Sequence, residues 1–355
     1  MKRTLIAAAA VLAAGTAFAQ SSVTLYGRVN TSVERQKVGD ATRTVLQDSA
    51  SRWGLRGSED LGGGLKALFV LESGFGSDTG ALSTAYGAGR LFQRESWVGV
   101  ESSSFGRVRL GNMGQSAAYY ATADYISMHN HDTGTSSDAF YLYPGRKQNA
   151  ISYNTPSFGG LVVEAQYSMR QDAANVETTS NATGKNTAQI AANYDRGPLH
   201  LGATYLRGPL DFGFQGVAFA GFAGGVVNDT KEYGLRALYE FGPLTVGAYW
   251  VHNQIDPVGA EIKRDAFRLS GMYTIGGNEL HLNVGYADKF KLNGTKVADS
   301  DALQYTVAYN YNLSKRTKVY AFYTKVDNKA NVSYFGTGAN GVDFSSFALG
   351  VRHAF

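Results

Sequence analysis

Apolar and polar side chains alternate with a period of two over most of this chain, the mark of strands with one greasy and one wet face. The closing segment FSSFALGVRHAF sets Phe347, Leu349, Val351, His353 and Phe355 on one parity. Ser346, Ala348, Gly350, Arg352 and Ala354 take the other. In LQYTVAYNYNL the apolar set is Leu303, Tyr305, Val307, Tyr309, Tyr311 and Leu313, against Gln304, Thr306, Ala308, Asn310 and Asn312. LHLNVGY turns Leu280, Leu282, Val284 and Tyr286 outward. SSVTLYGRV turns Val23, Leu25, Gly27 and Val29 outward and leaves Tyr26 and Arg28 inside. KVYAFYTKV is apolar on both faces, and its register stays open.

Short turn signals punctuate these segments: SEDLGGGLKA, SSSFGRVRL, NTPSFGGLVV, YDRGPLHL, YEFGPLTV, YTIGGNELHL and YNLSKRTKVY. Each reads as a tight hairpin. Phe105, Phe158, Tyr194, Phe241, Tyr273 and Tyr311 lie close to them, where an aromatic belt would meet a membrane interface. Eight longer polar stretches separate the hairpins, at about 37–50, 76–89, 114–145, 171–185, 209–230, 254–263, 289–299 and 327–342. Seven turns and eight loops make fifteen connections, hence sixteen strands. The expected fold is all-β: a 16-stranded antiparallel transmembrane β-barrel with short periplasmic turns and long external loops. A soluble β-sandwich would need neither strands so evenly two-faced nor long loops gathered at one end. Closure removes the edges that lipid cannot satisfy, so the last strand is expected to pair with SSVTLYGRVNTSVE.

The ends and the composition narrow the picture. MKRTLIAAAAVLAAGTAFAQ has a basic start, an apolar run over Leu5–Ala14, and small residues at Ala17 and Ala19. That is a signal-peptide layout, with residues 1–19 removed and 20–355 left as a single barrel domain. The run is about half of the roughly 20 residues that cross a bilayer as a helix. No cysteine occurs, which excludes a small disulfide-built secreted fold. A net charge of +4, less after loss of Lys2 and Arg3, is too weak to imply nucleic acid. The grouping His129, His131 and Asp132 lies in a Gly/Ser/Asp-rich stretch with nothing to fix ligands, so neither metal, cofactor nor catalysis is expected. An outer-membrane enzyme is the rival class, but no nucleophile elbow, phosphate loop or zinc helix motif accompanies it.

SSVTLYGRV, SRWGLRGSEDLGGGLKALFVLESGF, LFQRESWVGV, FGRVRLGN, NAISYNTPSFGG and GVRHAF together resemble the general diffusion porins of Gram-negative bacteria. The similarity is to the trimeric sixteen-stranded type of beta-proteobacteria, often anion-preferring, and it covers the chain after the signal segment. It implies a homotrimer among outer-membrane lipids and lipopolysaccharide, and Phe355 as a signal to the barrel-assembly machinery. It also implies that the loop at about 114–145 folds inward and narrows the bore. Arg52, Arg94 and Arg146 match basic residues at the constriction, and Glu72 and Asp124 match acidic residues facing them. Relatives often carry a basic residue where this chain has Asn112.

A sixteen-stranded barrel leaves a water-filled lumen, which implies passive diffusion of small hydrophilic solutes and ions. Strand parity places Arg28, Arg52, Arg56, Lys66, Arg107 and Arg109 on the lumen face. An arginine turned to lipid at mid-membrane costs roughly 2–4 kcal/mol, so the lumen is the default. Fixed cations in a narrow throat concentrate anions, and anion preference is expected. A substrate-specific channel is the alternative. Tyr119, Tyr120, Tyr125, Phe140, Tyr141 and Tyr143 could form a solute ladder, though packing of the loop on the wall is the favoured reading.

Overall fold

A computed structural model describes residues 22–83, 90–126, 134–145, 147–169, 186–211, 218–219, 222–223, 226–257, 259–335 and 337–355. The signal segment, the cluster His129–His131–Asp132 and Arg146 lie outside the described residues.

Sixteen antiparallel strands close into one barrel. They are β1 Ser22–Val38, β2 in two pieces (Ala41–Asp48 and Ser51–Gly62), β3 Leu65–Phe75, β4 Glu95–Ser102, β5 Gly106–Asn112 and β6 Ala150–Asn154. Next come β7 Leu161–Ser168, β8 Thr187–Arg196, β9 Leu199–Asp211, β10 Val226–Phe241 and β11 Leu244–Ile255. The circuit ends with β12 Ile262–Ile275, β13 Asn278–Ala287, β14 Ala302–Asn312, β15 Thr317–Asn328 and β16 Phe344–Ala354. Closure is direct: β16 pairs with β1 from Arg28↔Ala354 to Val38↔Phe344. No helix among the described residues is long and apolar enough to cross a membrane; the strands do the crossing.

The seven hairpin turns fall where the turn signals stand, and the alternation is the one the pattern dictates. Leu25, Leu282, Val307 and Leu349 are exposed on the outer face, whereas Gln304, Asn310 and Ser346 are buried toward the lumen. Phe105, Phe158, Phe241, Tyr273 and Tyr311 are exposed at the turn end of the barrel. The open register of β15 resolves with Tyr320 and Phe322 inward and Tyr323 outward.

The first polar stretch departs from expectation. Residues 37–50 are not a loop: β1 runs to Val38, a two-residue turn at Gly39–Asp40 follows, and Ala41–Asp48 pairs back from Val38↔Ala41 to Thr31↔Asp48. A strand that projects above the bilayer needs no apolar face, so its sequence reads as loop. The connection between β11 and β12 is also short, six residues at 256–261.

The third external connection lies inside the barrel. Two short helices, α1 Ala117–Ala121 and α2 Ala123–Ile126, start it, with Ser116 Oγ capping α1 by accepting from Tyr119 N. They seat against the wall where glycines leave room. A Cβ on Gly202 would meet the Ala121 carbonyl oxygen at 2.0 Å, and one on Gly234 would meet Thr122 at 2.5 Å. Farther along, Phe140, Tyr141 and Leu142 join Val251, Ile255, Ile262, Phe290, Val326 and Tyr334 in one buried apolar cluster. A water-filled barrel therefore carries a core: the loop's greasy face packs on inward residues of β8 to β16, which leaves the bore to the side of β1 to β6.

Candidate functional site

The throat is built on the β1–β4 wall opposite this loop. Arg52 on β2 and Glu72 on β3 share inward parity, and Arg94 enters from the residue before β4. Arg94 Nε donates to Glu72 Oε1 at 2.6 Å, while Arg52 Nε lies 3.7 Å from Glu72 Oε2. The Arg94 backbone is pinned too, donating to the Glu72 carbonyl at 3.2 Å. Asn112 turns from the bore: its Nδ2 donates to the Gln93 and Arg94 carbonyls and so supports Arg94 from behind. Its position therefore bears on how Arg94 is held, not on the charge lining the water path.

Arg28 stands directly across from Arg52 in the β1–β2 register. Like charges in that relation repel, so the local structure must hold them. The break in β2 at Ser49–Ala50, where Ala50 has φ +52°, turns carbonyls inward. Arg28 Nε donates to Ala50 O at 3.2 Å and Asn30 Nδ2 to Ser49 O at 3.2 Å. Carbonyl dipoles solvate a guanidinium while adding no negative charge. The same wall continues through a pair that the sequence reading did not name: Arg352 on β16 faces Lys318 on β15 in register, and Asn30 on β1. Lys318 Nζ lies 3.4 Å from Glu279 Oε2. The wet parity of the last strand already carries Arg352, so that signal was present.

The remaining inward cations differ in setting. Arg56 is exposed to the lumen over the Tyr26 ring, 5.2 Å from its centroid. Lys66, exposed near the turn end, faces Asp60 and Glu101 in register. Arg107 Nη1 is 3.9 Å from Glu101, and Arg109 Nη2 donates to Glu164 Oε1 at 2.7 Å beneath Trp97. In the β4–β7 sector Arg107 and Arg109 each face a carboxylate of their own. The sector from β15 through β3 sets Lys318, Arg352, Arg28 and Arg52, with Arg94 beside them, against Glu72 and Glu279.

Lys147 closes the throat from the end of the inward loop, its Nζ donating to the Gly114 carbonyl. Burial, with Arg94 nearby, pushes its ammonium down to about 7. Asp124 sits on α2, which packs against β10, β11 and β12. Ala123 and Ile126 face that wall and are buried, and half-buried Asp124 follows the exposed Tyr120 by one helical turn on the opposite side. The described site therefore brings Arg52, Arg94 and Glu72 into contact, and sets Asp124 on the loop across the bore.

Loop aromatics pack rather than line the path: Tyr119, Phe140 and Tyr141 are buried, and only Tyr120 among those described is fully exposed. Polar staples fix them. Arg268 Nη1 is 3.4 Å from Asp138 Oδ1, Tyr249 OH donates to Asp138, and Arg264 Nη2 donates to the Phe140 carbonyl at 2.5 Å. Tyr141 OH donates to Glu232 Oε1 at 2.5 Å, and Thr135 Oγ1 to Glu34 Oε2 at 2.8 Å. Sequence reasoning missed Arg264, Arg268, Glu232, Asp138 and Glu34.

Phe355 is locked into the seam. Gly27 N donates to the Phe355 carbonyl at 3.1 Å, and Phe355 N to the Gly27 carbonyl at 3.0 Å. The ring covers Gly27, where a Cβ would come within 2.5 Å of ring carbon and of the Arg52 carbonyl oxygen.

A closed barrel with lipid-facing apolar residues, an inward loop and a charged throat defines a transmembrane diffusion channel. The chain belongs to the Gram-negative porins, whose family profile matches residues 6–331. It is 34% identical to outer membrane porin protein 32 of Delftia acidovorans, over the full length of both chains. It is 27% identical, again over both full lengths, to the major outer membrane protein P.IB of Neisseria sicca. Among solved structures, the anion-selective porin from Comamonas acidovorans superposes with a TM-score of 0.69 at 28% identity, covering 95% of this chain and 100% of that one. The trimer form of OmpT from Vibrio cholerae matches in fold, with a TM-score of 0.66 at 18% identity over 94% of this chain and 99% of that one. This protein is an outer-membrane porin, a passive diffusion channel and not an enzyme.

Proposed function

We propose that the channel prefers anions, with Arg52, Arg94 and Arg146 as the constriction cations and Arg28, Arg56, Lys66, Arg107 and Arg109 as supporting lumen charge. The observation that carries the reading is the register of like charges on one wall, Arg28 opposite Arg52 and Arg352 opposite Lys318. Arginine holds its charge at any working pH. The Debye length of about 8–10 Å at physiological salt is comparable with a porin throat, so screening leaves the attraction in force. Glu72 sets the position of Arg94, and Asp124 supplies negative charge on the facing loop, so a dipolar solute meets a transverse field. The 28%-identical structure described as an anion-selective porin agrees with this reading.

The functional unit is a homotrimer, consistent with the trimeric fold relative. It sits among outer-membrane lipids and lipopolysaccharide, residues 1–19 are removed on export, and Phe355 is the residue that the barrel-assembly machinery reads. The test is the reversal potential of purified protein in a planar bilayer under a salt gradient. An anion-selective value is expected, and the Arg52→Ala, Arg94→Ala, Arg146→Ala triple variant should reduce or reverse it. A cation-selective native channel overturns the proposal.

A further inference from the structure

The outer face of a barrel strand ordinarily carries large apolar residues, as at Leu25, Leu282, Val307 and Leu349. One sector departs from this. On β8 to β11, Ala192 stands opposite Ala203, and Ala237 opposite Ala248. These two cross-strand alanine pairs floor a groove of about 640 Å³, walled by Leu161, Tyr194, Leu201, Leu235, Trp250 and Phe267. It starts at the level of the paired residues Leu161, Tyr194 and Leu201 and climbs to Trp250, six residues above the start of β11 at Leu244. At a rise of about 3.3 Å per residue on tilted strands, that is roughly half of the 25 Å apolar band.

One outward position below Tyr194, the lowest β8 residue of the groove, stands a cation. Arg196 is exposed, shares outward parity with Tyr194 and Ala192, and stands against Gly160, whose Cβ would lie 3.4 Å from the Arg196 Cβ. Its guanidinium makes no hydrogen bond or ion pair among the described residues. Its neighbour Asp195 is engaged elsewhere, accepting from His200 Nδ1 at 2.7 Å. The groove is apolar along its length, open to the bilayer, and headed by a guanidinium at the periplasmic interface.

We propose that this groove is a binding site for a phospholipid of the periplasmic leaflet, with one acyl chain along the alanine floor and the phosphate on Arg196. Small floor residues leave a dent that lipid must fill or leave void, and a seated chain recovers the dispersion contacts of a packed surface. The length fits: the groove spans one leaflet, and its cation lies at headgroup depth. Charge decides the class, since a guanidinium pairs bidentately with a phosphate, whereas an uncharged glyceride offers it only weaker, neutral ester and hydroxyl acceptors.

Trp250 on the groove wall reports occupancy directly. In full-length trimer with Trp53→Phe and Trp97→Phe, a phospholipid brominated along its acyl chain should quench Trp250 at lower mole fraction than a diacylglycerol brominated at the same carbons. Arg196→Gln should abolish that preference, raising the phospholipid requirement about fivefold, the effect of one cation–lipid contact. Ala203→Leu with Ala237→Leu fills the floor and should lower quenching by both lipids. Single-channel conductance equal to that of the Trp53→Phe, Trp97→Phe background, which substitutions on the outer face do not change, certifies that each variant is folded. Equal quenching by the two lipids in every variant overturns the site. Loss of the oligomer in the floor-filled variant, read by native mass measurement, overturns it as well, by assigning the groove to a neighbouring copy.

Discussion

Arg94 and Glu72 form a close ion pair in the throat, 2.6 Å from Nε to Oε1, with Arg52 3.7 Å from the second carboxylate oxygen. One acid thus restrains two cations. Glu72→Gln keeps the side chain's shape and removes its charge. Anion-to-cation permeability from reversal potentials should rise roughly twofold, since the lost charge lies within a Debye length of the water path. A fall in that ratio would mean that Glu72 matters through the placement of Arg94 alone.

Lys147 gives the throat a pH dependence that the arginines lack. With its ammonium pushed down to about 7, it is charged below neutrality and largely neutral above. Anion preference should therefore strengthen as pH falls from 8 to 6. Lys147→Met should flatten the profile, leaving the part due to arginine.

Asp138 ties the inward loop to the wall through Arg268 and Tyr249. Both members of the Asp138–Arg268 pair are almost wholly buried, at 3% and 1% side-chain exposure. Asp138→Ala strands a buried guanidinium, and removing one partner of such a pair costs about 3 kcal/mol or more. Denaturant unfolding should show that loss, and single-channel records should become noisier as the loop loosens.

Gly27 has no room for a side chain, with the Phe355 ring and the Arg52 carbonyl both within 2.5 Å of where a Cβ would stand. Gly27→Val should lower the folded fraction, read as heat-modifiable mobility on gels. Phe355→Ala should leave Gly27 uncovered and lower the folded fraction less in vitro than in cells, if assembly factors read the terminal ring.

Much of this molecule is legible in its sequence, for a physical reason. Lipid outside and water inside force a period of two on every crossing strand, so Leu280, Leu282, Val307 and Leu349 announce their side unaided. Where that constraint lapses, so does the reading. Beyond the exposed Val33–Leu46 pair, the outer face of the β1–β2 hairpin is polar (Arg35, Lys37, Thr42, Thr44), and it reads as a loop. Phe322 and Tyr320 face inward, against the rule, because small neighbours leave room for rings: they pack with Ala308 and Ala348, and Tyr320 covers Gly350 and donates to Asn30. Arg264 and Arg268 carry the right parity for lumen charge, yet they bind the loop and its neighbours. Parity says which way a side chain points and nothing about what fills the space there. Glu72 and Arg94 were named from resemblance, and their contact emerges only from the register of β2, β3 and β4.

The pairing of Gly27 with Phe355 joins residues at opposite ends of the polypeptide. Until Phe355 is in place this end of the first strand has no partner, and an unclosed sheet presents two raw edges. Closure of the ring is then a late event, long after synthesis of the first strand.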